Sequence, residues 1–343
     1  MLCSAVVHST FAMIRFVGIL LFLSSTVAFT QTRSCQAIEV GMNVILRDGK
    51  TVTGLSMQNL TGRTKHEAVA IDSLVFDTSP RRILLVLDTG HDLAPDARRA
   101  ELEIASYLVG GARETDSFAL LTARGTLMDV PFKEGRDAVL SGIAKLRDAK
   151  AGTRTRRGIL DALLEATTWF QDSKPGDAII VMASEIGTNE SAHFSQVANA
   201  VAKNGVRLFS IALGPILEGT YFGPTEPLSQ HNEGWAFLPN QENLSALTWN
   251  NGGYMLMEDT KDARREYKLT DAHLHNLQDE VARMYSAIAT FYRVGIRVPP
   301  GLKRREPWKL DLSDEIRKKV PAAYVVYPRF LEPCPPVISA TGK

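Results

Sequence analysis

An uninterrupted apolar run that ends in two acidic residues constrains the fold of this chain more than any other feature. Residues 83–87 are all aliphatic, and Asp88 and Asp92 follow them within five positions. Apolar residues without alternation are typical of a parallel strand that is covered on both faces. Ligands of open α/β sheets lie outside the carboxyl ends of such strands. The loop after Leu87 is therefore the first candidate for a functional site.

Strands and helices alternate over residues 81–257. This alternation indicates βαβ units, and it predicts an α/β fold with a doubly wound, mainly parallel sheet. The predicted strands are 82–88, 116–123, 177–184, 206–213 and 254–257, with a short edge strand at 125–132, and the predicted helices are 95–108, 136–147, 156–171, 191–203 and 241–249.

The flanks have the alternating pattern of antiparallel strands that are half exposed to water. Asp48-Gly49 separates two strand-like runs, as in a hairpin, and an amphipathic helix near 274–291 precedes alternating apolar residues up to residue 327. We predict that both flanks form one smaller β module. The predicted organisation is a signal peptide over 1–30, an N-terminal β segment over 36–80, the α/β domain over 81–257, an amphipathic helix with antiparallel strands over 258–330, and a tail over 331–343.

The N-terminus has the pattern of a secretory signal. Arg15 precedes the apolar residues 16–23, and small and polar residues follow up to Ala28. This apolar core is shorter than the roughly 20 residues that a spanning helix needs. A cleaved signal and a secreted or periplasmic location are predicted, with an uncleaved anchor as the alternative. Met13 is an alternative to Met1 as the first residue, and no other stretch is apolar enough to span a membrane.

Composition gives no support for a nucleic-acid partner. The formal net charge is +1 and no long basic or acidic block occurs. The short cluster Lys303-Arg304-Arg305 is predicted to be an exposed turn. After removal of the signal, Cys35 and Cys334 remain near the two ends of the chain. An oxidising compartment permits a bridge between them, and two unpaired thiols are the alternative.

Three loops at predicted carboxyl ends of strands carry oxygen ligands. Carboxylate and hydroxyl oxygens are the ligands that Mg²⁺ prefers, and Ca²⁺ and Mn²⁺ accept them as well. The loops together predict a metal site, whose candidate ligands are Asp88, Asp92, Thr153 and Glu185.

The order of these loops resembles that of a von Willebrand factor type A domain. In that family the first strand ends in Asp-x-Ser-x-Ser, a Gly-Thr loop supplies a threonine, and a later strand ends in an aspartate. The flanks also resemble the secreted bacterial proteins related to this family. The resemblance implies a metal-ion-dependent adhesion site that recognises a carboxylate of another protein. The matching segments here are Asp88-Thr-Gly-His-Asp92, Gly152-Thr153 and Ser184-Glu185.

The chain departs from the family pattern at three positions. Gly90 lacks the first serine hydroxyl, Asp92 replaces the second serine, and Glu185 replaces the final aspartate. Three carboxylates exceed the two charges of a divalent cation, so a bound metal should attract an acidic ligand less strongly. A metal-free alternative also stays open, in which a guanidinium binds the carboxylates through bidentate hydrogen bonds. The candidates for that role are Arg154, Arg156 and Arg157.

These features predict a secreted protein-binding module, for adhesion or assembly, with an atypical and degenerate site. The alternative is a metal-independent scaffold protein. A metal-assisted hydrolase is the third hypothesis, but we expect no enzyme, because GxGxxG after a strand, GxxxxGK[ST], GxSxG and CxxC are all missing. A phosphatase with an aspartate nucleophile would also want a second aspartate where Gly90 stands.

Overall fold

The chain forms an α/β domain with a five-stranded parallel sheet and a β module with two antiparallel sheets. The predicted fold class is therefore confirmed, including the β module built from both flanks. The computed structural model describes residues 37–90, 93–149, 157–183, 192–213, 239–257 and 268–333.

The elements are numbered in chain order. The strands are β1 (Ala37–Ile45), β2 (Leu60–Thr64), β3 (Ala70–Asp77), β4 (Arg82–Asp88), β5 (Ser117–Ala123), β6 (Ala178–Ala183), β7 (Arg207–Ala212), β8 (Met255–Met257), β9 (Phe291–Arg297), β10 (Glu306–Leu312), β11 (Tyr324–Val326) and β12 (Phe330–Leu331). The helices are α1 (Pro95–Gly111), α2 (Gly135–Asp148), α3 (Ile159–Thr168), α4 (Phe194–Lys203), α5 (Pro239–Asn250), α6 (Asp271–Ala289) and α7 (Asp314–Lys319).

The parallel sheet has the strand order β5-β4-β6-β7-β8. The chain starts in the interior of the sheet at β4, moves to one side with β5, and then continues on the other side with β6. The order therefore reverses between β4 and β6, and this is where doubly wound sheets bind their ligands. Asp88 is the last residue of β4, so the strand prediction placed it at this crevice correctly.

Helices on both faces of the sheet explain why β4 has no polar alternation. Leu85 and Leu87 pack in a cluster with residues of α1, α2 and α6. Leu84 and Val86 point the other way, into a cluster with residues of α3, α4 and α5. All four side chains are fully buried. Successive residues of a strand face opposite sides, so a strand between two helix layers is apolar at every position.

The β module combines strands from the two ends of the chain. β1 pairs antiparallel with β9 and β11, and β2 pairs antiparallel with β10. The two sheets have the orders β11-β1-β9-β3 and β12-β10-β2. Their inner faces meet in one apolar cluster that includes Met42, Tyr292 and Trp308.

Some local predictions were only partly right. The edge strand predicted at 125–132 is reduced to a single antiparallel bridge between Leu120 and Val130. Pro131 follows at once, and proline has no N–H with which to continue a ladder. The hairpin at Asp48-Gly49 is likewise closed by one bridge between Ile45 and Thr51. The elements β2, α7 and β12 were not predicted from the sequence.

Two buried arginines lie where the α/β domain meets the β module. Arg81 donates to the carbonyl oxygen of Ala289 and pairs with Asp77 at 3.0 Å. Arg207 donates to the carbonyl oxygen of Gly252 at 3.0 Å and to the side-chain oxygen of Asn43. These contacts join β1, β3, β7 and α6 at one point.

Candidate functional site

The structure describes one of the four predicted metal ligands. Asp88 is fully buried at the carboxyl end of β4. The strand that precedes Glu185, β6, ends at Ala183 beside β4. Asp92, Thr153 and Glu185 lie outside the described residues, so their arrangement around Asp88 stays a prediction. Within the described ranges, no group of three or more His, Cys, Asp or Glu side chains is placed to hold a metal ion.

A guanidinium binds the carboxylate of Asp88. Ala123, the last residue of β5, pairs in register with Asp88, so Arg124 begins at the same edge of the sheet. The Nε of Arg124 donates to Oδ1 of Asp88 at 2.9 Å, and its Nη2 donates to Oδ2. Oδ1 also accepts the backbone N–H of Gly90 at 3.0 Å. This bidentate ion pair is the strongest arrangement available to an arginine and a carboxylate.

The backbone around Arg124 fixes the direction of its side chain. Arg124 has a φ of 61°, in the left-handed region that side chains rarely adopt, and its N–H donates to the carbonyl oxygen of Arg157 at 2.9 Å. Gly125 then packs against Thr89, where a Cβ would lie 1.7 Å from the carbonyl oxygen of Thr89. Only glycine allows this close approach. The loops after β4 and β5 are therefore packed backbone against backbone.

A second buried acid lies behind Asp88. Glu101 of α1 is fully buried, and its Oε1 accepts the backbone N–H of Asp88 at 2.7 Å. Its Oε2 is buried without a hydrogen-bond partner among the described residues. Burial, and then the charge of Asp88, raise the pKa of Glu101 well above its usual range, although the N–H of Asp88 and the charges of Arg124 and Arg98 act against this. These surroundings favour the protonated form of Glu101.

Asp88 and Arg124 balance each other's charge in the described part of the site. Asp88 contributes one negative charge and Arg124 one positive charge, and the raised pKa of Glu101 disfavours a second negative charge there. The sequence had left two balances open, three carboxylates around a cation or a guanidinium of Arg154, Arg156 or Arg157, and Arg124 was in neither. Arg124 changes that balance, because it already supplies the charge that Asp88 requires.

A divalent cation fits poorly to the described residues. Such a cation binds carboxylate oxygens directly. Both oxygens of Asp88 already accept hydrogen bonds from Arg124. A cation on Asp88 would have to share these oxygens with the guanidinium, and the two positive charges would repel each other.

The prediction that Arg157 could supply this guanidinium was wrong. Arg157 binds Asp129 instead, at 2.6 Å, and Glu165 at 3.1 Å. The other two candidates, Arg154 and Arg156, lie outside the described residues. Two signals in the sequence could have found the observed cluster. Arg124 directly follows the strand next to β4, and Glu101 interrupts the apolar stripe of α1.

No protein-family model matches this chain, and no curated protein does either. Solved structures with a similar fold include the conserved hypothetical protein BatB from Bacteroides thetaiotaomicron. That alignment has 16% identity and a TM-score of 0.38, and it covers 60% of this chain and 98% of BatB.

Two further structures are similar at comparable levels. One is proximal thread matrix protein 1 from the mussel byssus with a zinc-occupied MIDAS motif, at 12% identity and a TM-score of 0.45, covering 66% of this chain and 50% of that protein. The other is a von Willebrand factor type A protein from Catenulispora acidiphila, at 12% identity and a TM-score of 0.40, covering 88% of this chain and 74% of that one. The parallel sheet, with Asp88 at the end of its first strand, agrees with the fold that the resemblance implied.

Proposed function

We propose that this chain is a protein-binding module whose type A domain works without a cation on Asp88. The ion pair between Arg124 and Asp88 is the observation that carries this proposal. It gives the buried carboxylate its counter-charge within the protein, so neither stability nor the shape of the crevice depends on a metal. The proposal selects the metal-free hypothesis over a site for Mg²⁺, Ca²⁺ or Mn²⁺.

We also propose that the chain is not an enzyme. Asp88 would be the natural nucleophile or base at this crevice. It is fully buried, and Arg124 occupies both of its oxygens. Screens for phosphoesterase and peptidase turnover should give none, and turnover that disappears in Asp88→Ala would contradict this assignment.

An exported location is part of the same proposal. The apolar segment over residues 16–23 supports a cleaved signal, and it lies outside the described residues. No helix within the described ranges is long and apolar enough to cross a membrane. The N-terminal residue of the protein recovered from the native host should lie near residues 28–30. An N-terminus at Met1 or Met13 would show that the segment is retained.

Thermal unfolding with and without cations tests the metal-free state. Wild-type protein should show the same Tm in EDTA as in millimolar Mg²⁺, Mn²⁺ or Ca²⁺, with no heat in isothermal titration. Arg124→Ala leaves Asp88 buried without its counter-charge, and it should lose about 3–5 kcal/mol of stability. Millimolar Mg²⁺ should restore part of that loss, because the carboxylate oxygens become available.

Arg157→Ala is the matched control. It removes a nearby arginine that pairs with exposed carboxylates rather than with Asp88. Its Tm should fall less, and it should not respond to Mg²⁺. Two results would overturn the proposal. One is a wild-type protein that gains stability from Mg²⁺. The other is the loss, in EDTA, of protein partners that are cross-linked in the native host and identified by mass spectrometry.

A further inference from the structure

The outer face of the three-stranded sheet in the β module has an excess of positive charge. This cationic face is formed by side chains that point away from the apolar core, on the strands β2 and β10 and at their ends. Lys309 of β10 stands directly opposite Arg63 of β2. Like charges directly opposite each other on neighbouring strands destabilise a sheet. The members of the face are Arg63, Lys65, Arg305, Lys309, Asp311, Arg317, Phe330 and Glu332.

The carboxylates of the face are already engaged. Asp311 pairs with Lys309 at 2.8 Å and with Arg317 of α7. Glu332 pairs with Arg305 at 3.2 Å. Hydrogen bonds from Lys309 and Arg317 hold the pKa of Asp311 below its usual range in spite of partial burial, so Asp311 is ionised near pH 7.

Two exposed cations are left over. Arg63 and Lys65 are exposed, and among the described residues the carboxylates of this face pair with Arg305, Lys309 and Arg317 instead. Five cationic side chains therefore stand against two carboxylates on a chain whose formal net charge is only +1. This excess of positive charge is confined to the cationic face, because the whole chain is close to neutral.

We propose that the cationic face binds an acidic, extended segment of a partner protein. The planar fork of Arg63 can take a carboxylate bidentately, and Lys309 opposite supplies a second positive charge. The guanidinium of Arg305 lies 4.4 Å from the ring centre of Phe330, which adds a flat apolar surface at the edge of the face. The proposal depends on the proposed function only in taking the partner to be a protein.

The carboxylates of the face favour a short peptide over a larger polyanion. Asp311 and Glu332 occupy three of the five cations, so the face offers few free charges to a nucleic acid or an anionic bilayer, which presents many charges at fixed density. A peptide presents a few carboxylates, which can align with Arg63 and Lys65. The repulsion between Arg63 and Lys309 in the free protein is relieved when a carboxylate lies between them.

Fluorescence anisotropy with a labelled oligoglutamate peptide tests this proposal on the full chain at physiological salt. Wild-type protein should bind it more tightly than a glycine-serine peptide of equal length, and more weakly as salt increases. Arg63→Ala combined with Lys65→Ala should raise the Kd about tenfold, which corresponds to about 1.4 kcal/mol. The matched control is Lys50→Ala combined with Arg297→Ala, which removes two exposed cations elsewhere in the β module and should leave the Kd nearly unchanged.

Stability gives an independent readout. Arg63→Ala alone should leave Tm unchanged or raise it, because it removes a like-charge pair. The proposal is overturned if both double variants weaken binding equally, if oligoglutamate binds no better than the neutral peptide, or if phosphatidylserine vesicles or single-stranded DNA bind more tightly through the same residues. A Tm of Arg63→Ala well below that of the control would also overturn it. Peptide binding and the cation titration are separate measurements, so either proposal can fail alone.

Discussion

The two buried acids near Arg124 are stabilised in different ways, Asp88 as a charged group and Glu101 by a raised pKa. Asp88 keeps its charge and receives a guanidinium, which offsets much of the free energy needed to remove a carboxylate from water. Among the described residues, no guanidinium forms an ion pair with Glu101. Burial and the charge of Asp88 raise the pKa of Glu101, so the folded protein holds this proton to a higher pH than the unfolded chain does.

Glu101→Gln should therefore stabilise the protein at neutral pH. Above the ordinary value of 4.5, the free energy of unfolding of the wild type falls as pH rises towards the raised pKa, since the folded state binds more protons than the unfolded state. Glutamine does not titrate and can still accept the N–H of Asp88. The difference in unfolding free energy should grow with pH by at most about 1.4 kcal/mol per unit, measured by denaturant titration from acidic to neutral pH.

Glu103→Gln is the control on the same helix. Glu103 lies at the surface and pairs with Arg147 at 3.1 Å. Its replacement should leave the pH dependence close to that of the wild type. Parallel pH profiles for wild type and Glu101→Gln would mean that Glu101 is ionised in the folded protein.

Neighbouring parallel strands bring the loops after β4 and β5 together. Asp88 and Ala123 end their strands in register, and Thr89 donates both its N–H and its hydroxyl to the carbonyl oxygen of Ala123, at 2.9 and 3.0 Å. Gly125 completes this contact from the other loop. The orientation of Arg124 thus follows from how the two strands end.

Gly125→Ala should destabilise the domain by about 2 kcal/mol or more, because the new methyl group would overlap the carbonyl of Thr89. Thermal unfolding measures this directly. Gly110→Ala is the control, since a Cβ there meets nothing within 4 Å and Gly110 lies in α1. It should gain up to about 1 kcal/mol. Equal stability of Gly125→Ala and wild type would show that the two loops are not packed as described.

At the scale of the whole molecule, one phenylalanine joins the α/β domain to the β module. Phe291 begins β9 and is fully buried. Its ring centre lies 4.4 Å from the guanidinium carbon of Arg81 and 5.1 Å from that of Arg207. Burial and the charge of Arg81 lower the pKa of Arg207 to about 9, so it stays charged at neutral pH. Two buried guanidinium groups thus make cation–π contacts with the same aromatic ring.

Phe291→Leu should lower the free energy of unfolding by about 2–3 kcal/mol, through lost packing and lost cation–π attraction. Unfolding should remain a single transition in calorimetry. Phe76→Leu is the control, because Phe76 lies on the neighbouring strand β3 and is 41% exposed. That variant should change stability by less than about 1 kcal/mol. Two separate transitions in wild type would contradict a shared junction.

The sequence by itself determined most of the elements. Continuous apolar runs predicted the buried strands, helical spacing predicted α1 and α6, and α2 to α5 were predicted between the strands. The sequence placed Asp88 at the carboxyl end of β4 because the apolar run of this strand ends directly before it. These predictions succeed because periodicity within one segment records which faces of that segment are buried.

Only the tertiary structure decided what Asp88 contacts. Arg124 is 36 residues away along the chain and Glu101 is 13 residues away. Their contacts depend on β5 lying next to β4 and on α1 packing behind it, which are properties of strand order and register rather than of any local pattern. The sequence predicted that both flanks form one β module, but it did not predict which strands pair. The structure shows that β1 pairs with β9 and that β2 pairs with β10. Local periodicity specifies elements, whereas the partner of a buried charge is specified by the neighbours that the fold supplies.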